Sequence, residues 1–193
     1  TTDSLGNFEF NSGDASGVSL VLQPGGTDIT TGLEIDIPLS APINSEVISP
    51  VTTLIDAFAR TGVFTPEGAV AALQAQTGIT LNPLLDDPIA HALANPDDNA
   101  GIDLHAFSVA TLAAARLGAA YLSAASDGSI SIAEASAAIF TATAQGLGSL
   151  DYADVLANAS TQLGYSPTDI DLGNFSVLEE DRKSTRLNSS HLV

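Results

Sequence analysis

The stretch of this 193-residue chain whose residue types and spacing best suit metal chemistry reads Asp127-Gly128-Ser129-Ile130-Ser131-Ile132-Ala133-Glu134. With Gly128 at the sixth position of a twelve-residue calcium loop, Asp127 falls at position 5 and the Ser129 carbonyl at position 7. Glu134 then falls at position 12, where a bidentate carboxylate belongs. Calcium takes six to eight oxygens, and carboxylates normally stand at positions 1 and 3 as well. Those positions hold Ser123 and Ala125. Two readings follow. One is a degenerate EF-hand-like calcium site on Asp127, Ser129 and Glu134. The other is a corner between two helices, in which Asp127-Gly128 turns the chain and Ser131 and Glu134 form a capping box. The corner is the preferred reading because it needs no missing ligand.

Other constellations are weaker. His91 lies four residues after Asp87, and His105 lies two after Asp103, a set that zinc could use. The chain has no cysteine and no HExxH spacing, so helix capping or a surface position accounts better for both histidines. The acidic pairs Asp86/Asp87 and Asp97/Asp98 suit loops and caps first and calcium second. No Gly-x-Ser-x-Gly elbow is present, and Pro24-Gly25-Gly26-Thr27 lacks the Lys and the following helix of a phosphate loop. No catalytic residue is assigned and the chain is expected not to be an enzyme. A hydrolase built on His91, His105 and nearby Asp residues is the least favoured alternative.

Composition narrows the classes further. There are 23 acidic residues against 5 Lys and Arg, a net charge of −18, with no Cys, Met or Trp. Disulfide and thiol chemistry are excluded. No basic patch is available, so binding to nucleic acid or to an anionic membrane is not expected. No uninterrupted run of 18 apolar residues exists, so membrane insertion is not expected. Such acidity keeps a protein soluble in salt and suits a saline extracellular setting.

Three of the five bases, Arg182, Lys183 and Arg186, fall in the last thirteen residues. The run DRKSTRLNSSH from Asp181 to His191 reads as the in-frame translation of a common sequencing adapter, so residues 181–193 are expected to be non-native. Without them the bases are Arg60 and Arg116, and the net charge is −20. The absence of Met fits a fragment of a longer reading frame recovered from environmental DNA.

The elements that must position these residues divide at Ser49-Pro50. Residues 1–50 hold two alanines and residues 51–160 hold twenty-eight. Before the division, residues 8–10, 17–22 and 33–38 carry β-type apolar patterns between turns at 11–13 and 24–27, for two to four short strands. After it, Ser49 and Pro50 start a helix whose apolar stripe is Val51, Leu54, Ile55 and Phe58, ending at Gly62. Thr65-Pro66-Glu67 starts a second, with Val70 and Leu73 inward and Gly78 as its stop. Asn82-Pro83 and Asp87-Pro88 repeat the cap-then-proline device, and the second opens a short helix to about Leu93. The longest helix is expected over 103–125, with Leu104, Phe107, Leu112, Leu117, Tyr121 and Leu122 as its larger apolar residues. Two more follow the Ser131 capping box and Leu150. The fold is therefore mainly α: a bundle of about six helices preceded by a small β-rich segment, α+β overall. Leu5-Gly6-Asn7-Phe8 recurs as Leu172-Gly173-Asn174-Phe175, a short repeat compatible with a second β unit.

Several of these pieces, taken in order, carry a resemblance. They are Thr2-Asp3-Ser4-Leu5-Gly6-Asn7-Phe8-Glu9-Phe10, Gly25-Gly26-Thr27-Asp28-Ile29-Thr30-Thr31-Gly32, Ser49-Pro50-Val51-Thr52-Thr53-Leu54 and Asp87-Pro88-Ile89-Ala90. Together they resemble an alanine-rich helical module of very large secreted or cell-surface bacterial proteins. Such adhesin-like proteins also carry cadherin-like or RTX-type repeats. Val51 stands where that pattern usually has Leu. The resemblance covers roughly residues 2–145. Taken with the helix signals and the short repeat, it divides the chain into 1–48, the end of a β-sandwich-like unit plus linker, 49–165, the helical domain, and 166–180, the start of a further segment. It implies a non-enzymatic structural, stalk or adhesion role, secreted or at the cell surface. The implied partners are neighbouring domains of the same polypeptide and a glycan or cell-surface ligand. No cofactor is assigned beyond calcium, which the Asp127–Glu134 loop and the acidic pairs leave open.

Overall fold

The computed structural model describes residues 19–27, 34–145 and 152–164. The expected strand at 8–10, the turn at 11–13, both copies of the Leu-Gly-Asn-Phe repeat and the segments 166–180 and 181–193 lie outside the described residues.

Among the described residues four short strands come first: β1 (Ser19–Leu22), β2 (Gly26–Thr27), β3 (Glu34–Ile35) and β4 (Leu39–Pro42). They form an interrupted antiparallel ribbon. β1 pairs with β4, placing Ser19 opposite Pro42 and Leu22 opposite Leu39, and β2 pairs with β3. Gly25, at φ +112°, makes the break in the first arm, and its N–H donates to the Ile35 carbonyl at 2.9 Å. The sequence pattern places strands at 17–22 and 33–38. The second is shorter in the structure, and the true partner of β1 is 39–42. All four residues of β4 are buried, so it carries no alternation by which to find it.

Six helices follow among the described residues: α1 (Pro50–Arg60), α2 (Pro66–Thr77), α3 (Pro88–Ala94), α4 (Ala100–Ala125), α5 (Ile132–Gln145) and α6 (Tyr152–Gln162). This is the mainly α, α+β architecture expected from the sequence. Their starts follow local chemistry. The Ser49 hydroxyl accepts from Thr52 N–H at 3.1 Å, while Thr52 Oγ1 accepts from Ser49 N–H at 2.8 Å. Thr65 caps α2, and Gly78 closes it in the left-handed conformation. Asp87 accepts from Ile89 and Ala90 N–H at the head of α3. Asn82 makes only a turn, its side chain accepting from Leu84 N–H, and no helix follows it. α4 begins three residues before the expected Asp103, at Ala100, whose N–H donates to Asp98 Oδ1.

α1 organises the fold. It packs against β4 on one side and against α2, α4 and α5 on the others. Its expected stripe, Val51, Leu54, Ile55 and Phe58, is buried as read, and so are its polar residues Thr52, Thr53 and Asp56. Ile37 and Leu39 lie in the same core as Leu54, Leu104 and Ile139, so the core runs across the composition change at Ser49-Pro50. Small residues let the helices close in. A Cβ on Gly101 would stand 2.4 Å from the Pro88 carbonyl oxygen, so this glycine permits the α3–α4 approach. α4 is, by length and composition, long and apolar enough to cross a membrane, though Asp103, His105 and Arg116 interrupt it; here it packs against α3 and α5.

Candidate functional site

The corner between α4 and α5 contains the sequence-predicted metal residues. The chain leaves α4 through Asp127 at φ +50° and Gly128 at φ +76°, the left-handed pair that reverses its direction. Gly128 N–H donates to the Ser123 carbonyl at 2.9 Å, and the Ser123 hydroxyl donates to the Ile130 carbonyl at 2.8 Å. The Ser126 hydroxyl accepts from Ile130 N–H at 3.1 Å. The position-1 side chain of the calcium reading is thus engaged in closing the turn. At the other end, Glu134 Oε2 accepts from the Ser131 hydroxyl at 2.6 Å and from Ser131 N–H at 3.0 Å, while Glu134 N–H donates to Ser131 Oγ at 3.2 Å. This is the reciprocal capping box read from the sequence. The Ser131 hydroxyl, then its N–H, holds the Glu134 carboxyl below its ordinary value. Among the described residues no group of three or more His, Asp or Glu side chains is placed to hold a metal ion.

The histidine set separates into local roles. Asp87 is occupied at the head of α3. His91 Nε2 lies 3.1 Å from Asp98 Oδ2, a partner that the sequence reading places only in an acidic pair. The Ala100 N–H, then His91, lowers the Asp98 carboxyl from its usual range. His91, His105, Asp87 and Asp103 are not assembled into one cluster.

The structure assembles a different polar centre. Asp56, in the middle of α1, is 3% exposed. Its Oδ1 accepts from the Ser19 hydroxyl of β1 at 2.6 Å, and its Oδ2 accepts from the Ser40 hydroxyl of β4 at 2.6 Å. Arg60, one turn on, pairs with the same Oδ2, and its Nη2 also donates to Ser40 Oγ at 3.1 Å. The Ser40 backbone is held as well. Its N–H donates to Thr53 Oγ1 at 2.8 Å, and its carbonyl lies 3.0 and 3.1 Å from the Thr53 and Thr52 hydroxyls. The backbone groups of Ser40 in β4 are therefore satisfied by α1 side chains rather than by another strand. Every polar group here has a charged or hydroxyl partner, which is the condition for burying a carboxylate.

A groove of about 410 Å³ opens beside this centre, between the ribbon, α1 and α5. Leu39, Ala57 and Phe140 are apolar residues of its wall, and Arg60, Thr61 and Thr141 line it with polar groups. The Arg60 side chain is 62% exposed. Farther along the ribbon, Arg116 of α4 donates from Nε to Asp36 Oδ1 at 2.6 Å and from Nη2 to the Glu34 carbonyl at 2.8 Å. Both arginines of the described residues thus tie the ribbon to the helices. From sequence, the Asp56–Arg60 spacing reads as an ordinary exposed pair one helical turn apart. The signal for more is the run of Thr52, Thr53, Asp56 and Arg60 down one face of α1, opposite its apolar stripe.

No protein-family model matches the chain, and neither a curated protein nor a solved structure shows significant similarity to it.

Proposed function

We propose that this chain is a non-enzymatic spacer or adhesion module of a large secreted or cell-surface bacterial protein. The observation that carries the reading is the double fastening of the ribbon onto the helices, through Asp56 with Arg60 and through Arg116 with Asp36. A module that transmits load between neighbours benefits when its β and α parts yield together, and side-chain clamps joining elements distant in sequence provide that. The acidic surface keeps copies apart and soluble in salt. The partners in this reading are the adjoining domains of the same polypeptide and, where the protein adheres, a glycan or other cell-surface ligand.

Single-molecule pulling on the chain between well-characterised flanking domains tests it. One unfolding event, releasing ribbon and helices together, is expected. A ribbon that peels away first, at a force near the noise floor, would count against a load-bearing role.

A further inference from the structure

We propose that the groove beside Asp56 binds a small amphiphilic carboxylate, with an aliphatic or aryl body of about ten non-hydrogen atoms. The body would lie on Leu39, Ala57 and Phe140, and the carboxylate on the exposed edge of the Arg60 guanidinium. This inference is independent of the spacer reading.

Three observations lead to it. The groove, at about 410 Å³, is within the range of small-molecule sites, and its surface is mostly apolar with a few convergent polar groups. The exposed member of the Asp56–Arg60 pair is the cation. Asp56 is 3% exposed and both its oxygens already accept hydrogen bonds, so an incoming cation does not reach it. Arg60 uses only Nη2 on Asp56 and Ser40, and its side chain is 62% exposed. Nε and Nη1 can each donate a single charge-assisted hydrogen bond to a carboxylate. Finally, Arg60 is unlike the other arginine of the described residues. Arg116 is 27% exposed and divides its donors between Asp36 and the Glu34 carbonyl. Asp56 holds Arg60 in place on the wall of an apolar groove, and that preorganisation reduces the ordering cost of binding.

The test uses the whole chain, isotope-labelled, titrated in turn with octanoate, octan-1-ol and octylammonium at about physiological salt. Octanoate is expected to give saturable shifts of the Thr53, Ala57, Thr61 and Thr141 amides, with a dissociation constant on the order of 1 mM. Octanol is expected to bind at least about tenfold more weakly, and octylammonium more weakly still. Arg60→Gln should reduce octanoate to the affinity of octanol. Ala137→Trp, on the α5 side of the groove and away from the Asp56 cluster, should abolish binding without disturbing the fold. Absence of saturable shifts at these amides overturns the site. Equal affinity for octanoate and octanol, or unchanged octanoate affinity in folded Arg60→Gln, overturns the carboxylate contact. Tighter octylammonium binding overturns the charge assignment, and octanoate binding that survives Ala137→Trp places the ligand elsewhere.

Discussion

The Asp56 cluster and the corner at 127–134 use the same chemistry at different ranges. In both, a carboxylate accepts from a serine hydroxyl at 2.6 Å. In the corner the partners are three residues apart, and the contact is exposed. In the cluster they are 16 and 37 residues apart, and the carboxylate is buried. The first contact starts a helix that would begin near there in any case. The second decides where the ribbon lies on α1, because Ser19 and Ser40 come from its two paired strands. A hydroxyl–carboxylate bond in water contributes little net, whereas the buried one leaves several groups unsatisfied if it is broken.

Asp56→Ala should give the largest effect. It removes the acceptor for Ser19, Ser40 and Arg60, and a loss of about 2–4 kcal/mol in urea unfolding is expected. A loss below about 1 kcal/mol would place the cluster with ordinary surface pairs and remove the contrast. Gly101→Ala pits local preference against packing more directly. Helix propensity alone favours alanine by about 1 kcal/mol. The new Cβ would meet the Pro88 carbonyl oxygen at 2.4 Å and the Ala92 nitrogen at 2.9 Å, so a net destabilisation of about 1–3 kcal/mol is expected. A gain in stability would show that α3 and α4 do not approach so closely. Ser131→Ala should cost about 1 kcal/mol, the usual consequence of losing an N-cap, with the loss confined to the start of α5 in amide exchange.

Acid should produce a smaller difference. The folded-state pKa of Glu134 lies below its ordinary 4.5 because Ser131 hydrogen-bonds the ionised form, and that of Asp98 lies below 3.8 because Ala100 N–H and His91 do the same. Their stabilising contributions are therefore fully present above those ordinary values and are lost as pH falls through the lowered ones. The urea midpoint compared at about pH 6 and about pH 3 should fall less for Ser131→Ala than for the parent chain. An equal fall would show that the capping contact does not couple to the Glu134 proton. Calcium should separate the two least of all. At millimolar calcium the parent chain and Glu134→Gln should shift in thermal midpoint equally, through general screening of the acidic surface. A shift present only in the parent would favour the calcium loop on Asp127, Ser129 and Glu134 over the capped corner.

The corner and the helix starts were legible because their determinants are adjacent in the chain. Ser49-Pro50, Thr65-Pro66, Asp87-Pro88 and Ser131 with Glu134 each supply donors and acceptors within one turn. Asn82-Pro83 shows the limit of that logic, since an identical start signal yields a turn when no helix-forming run follows in the space available. β4 and the Asp56 centre were not legible for related reasons. A strand buried on every side loses its period, and a polar residue in a helix gives no sign of what will cover it.

What this sequence determined by itself was the set of helices, the caps of α1, α2, α3 and α5, the glycine stops and the acidic surface, all of which follow from residues within a few positions of each other. What only the tertiary structure decided was the pairing of β1 with β4, the burial of Asp56 and the groove that Arg60 borders. Those depend on bringing Ser19 and Ser40 to α1, and hydrogen bonding there becomes favourable only once packing has excluded water from both sides of the contact.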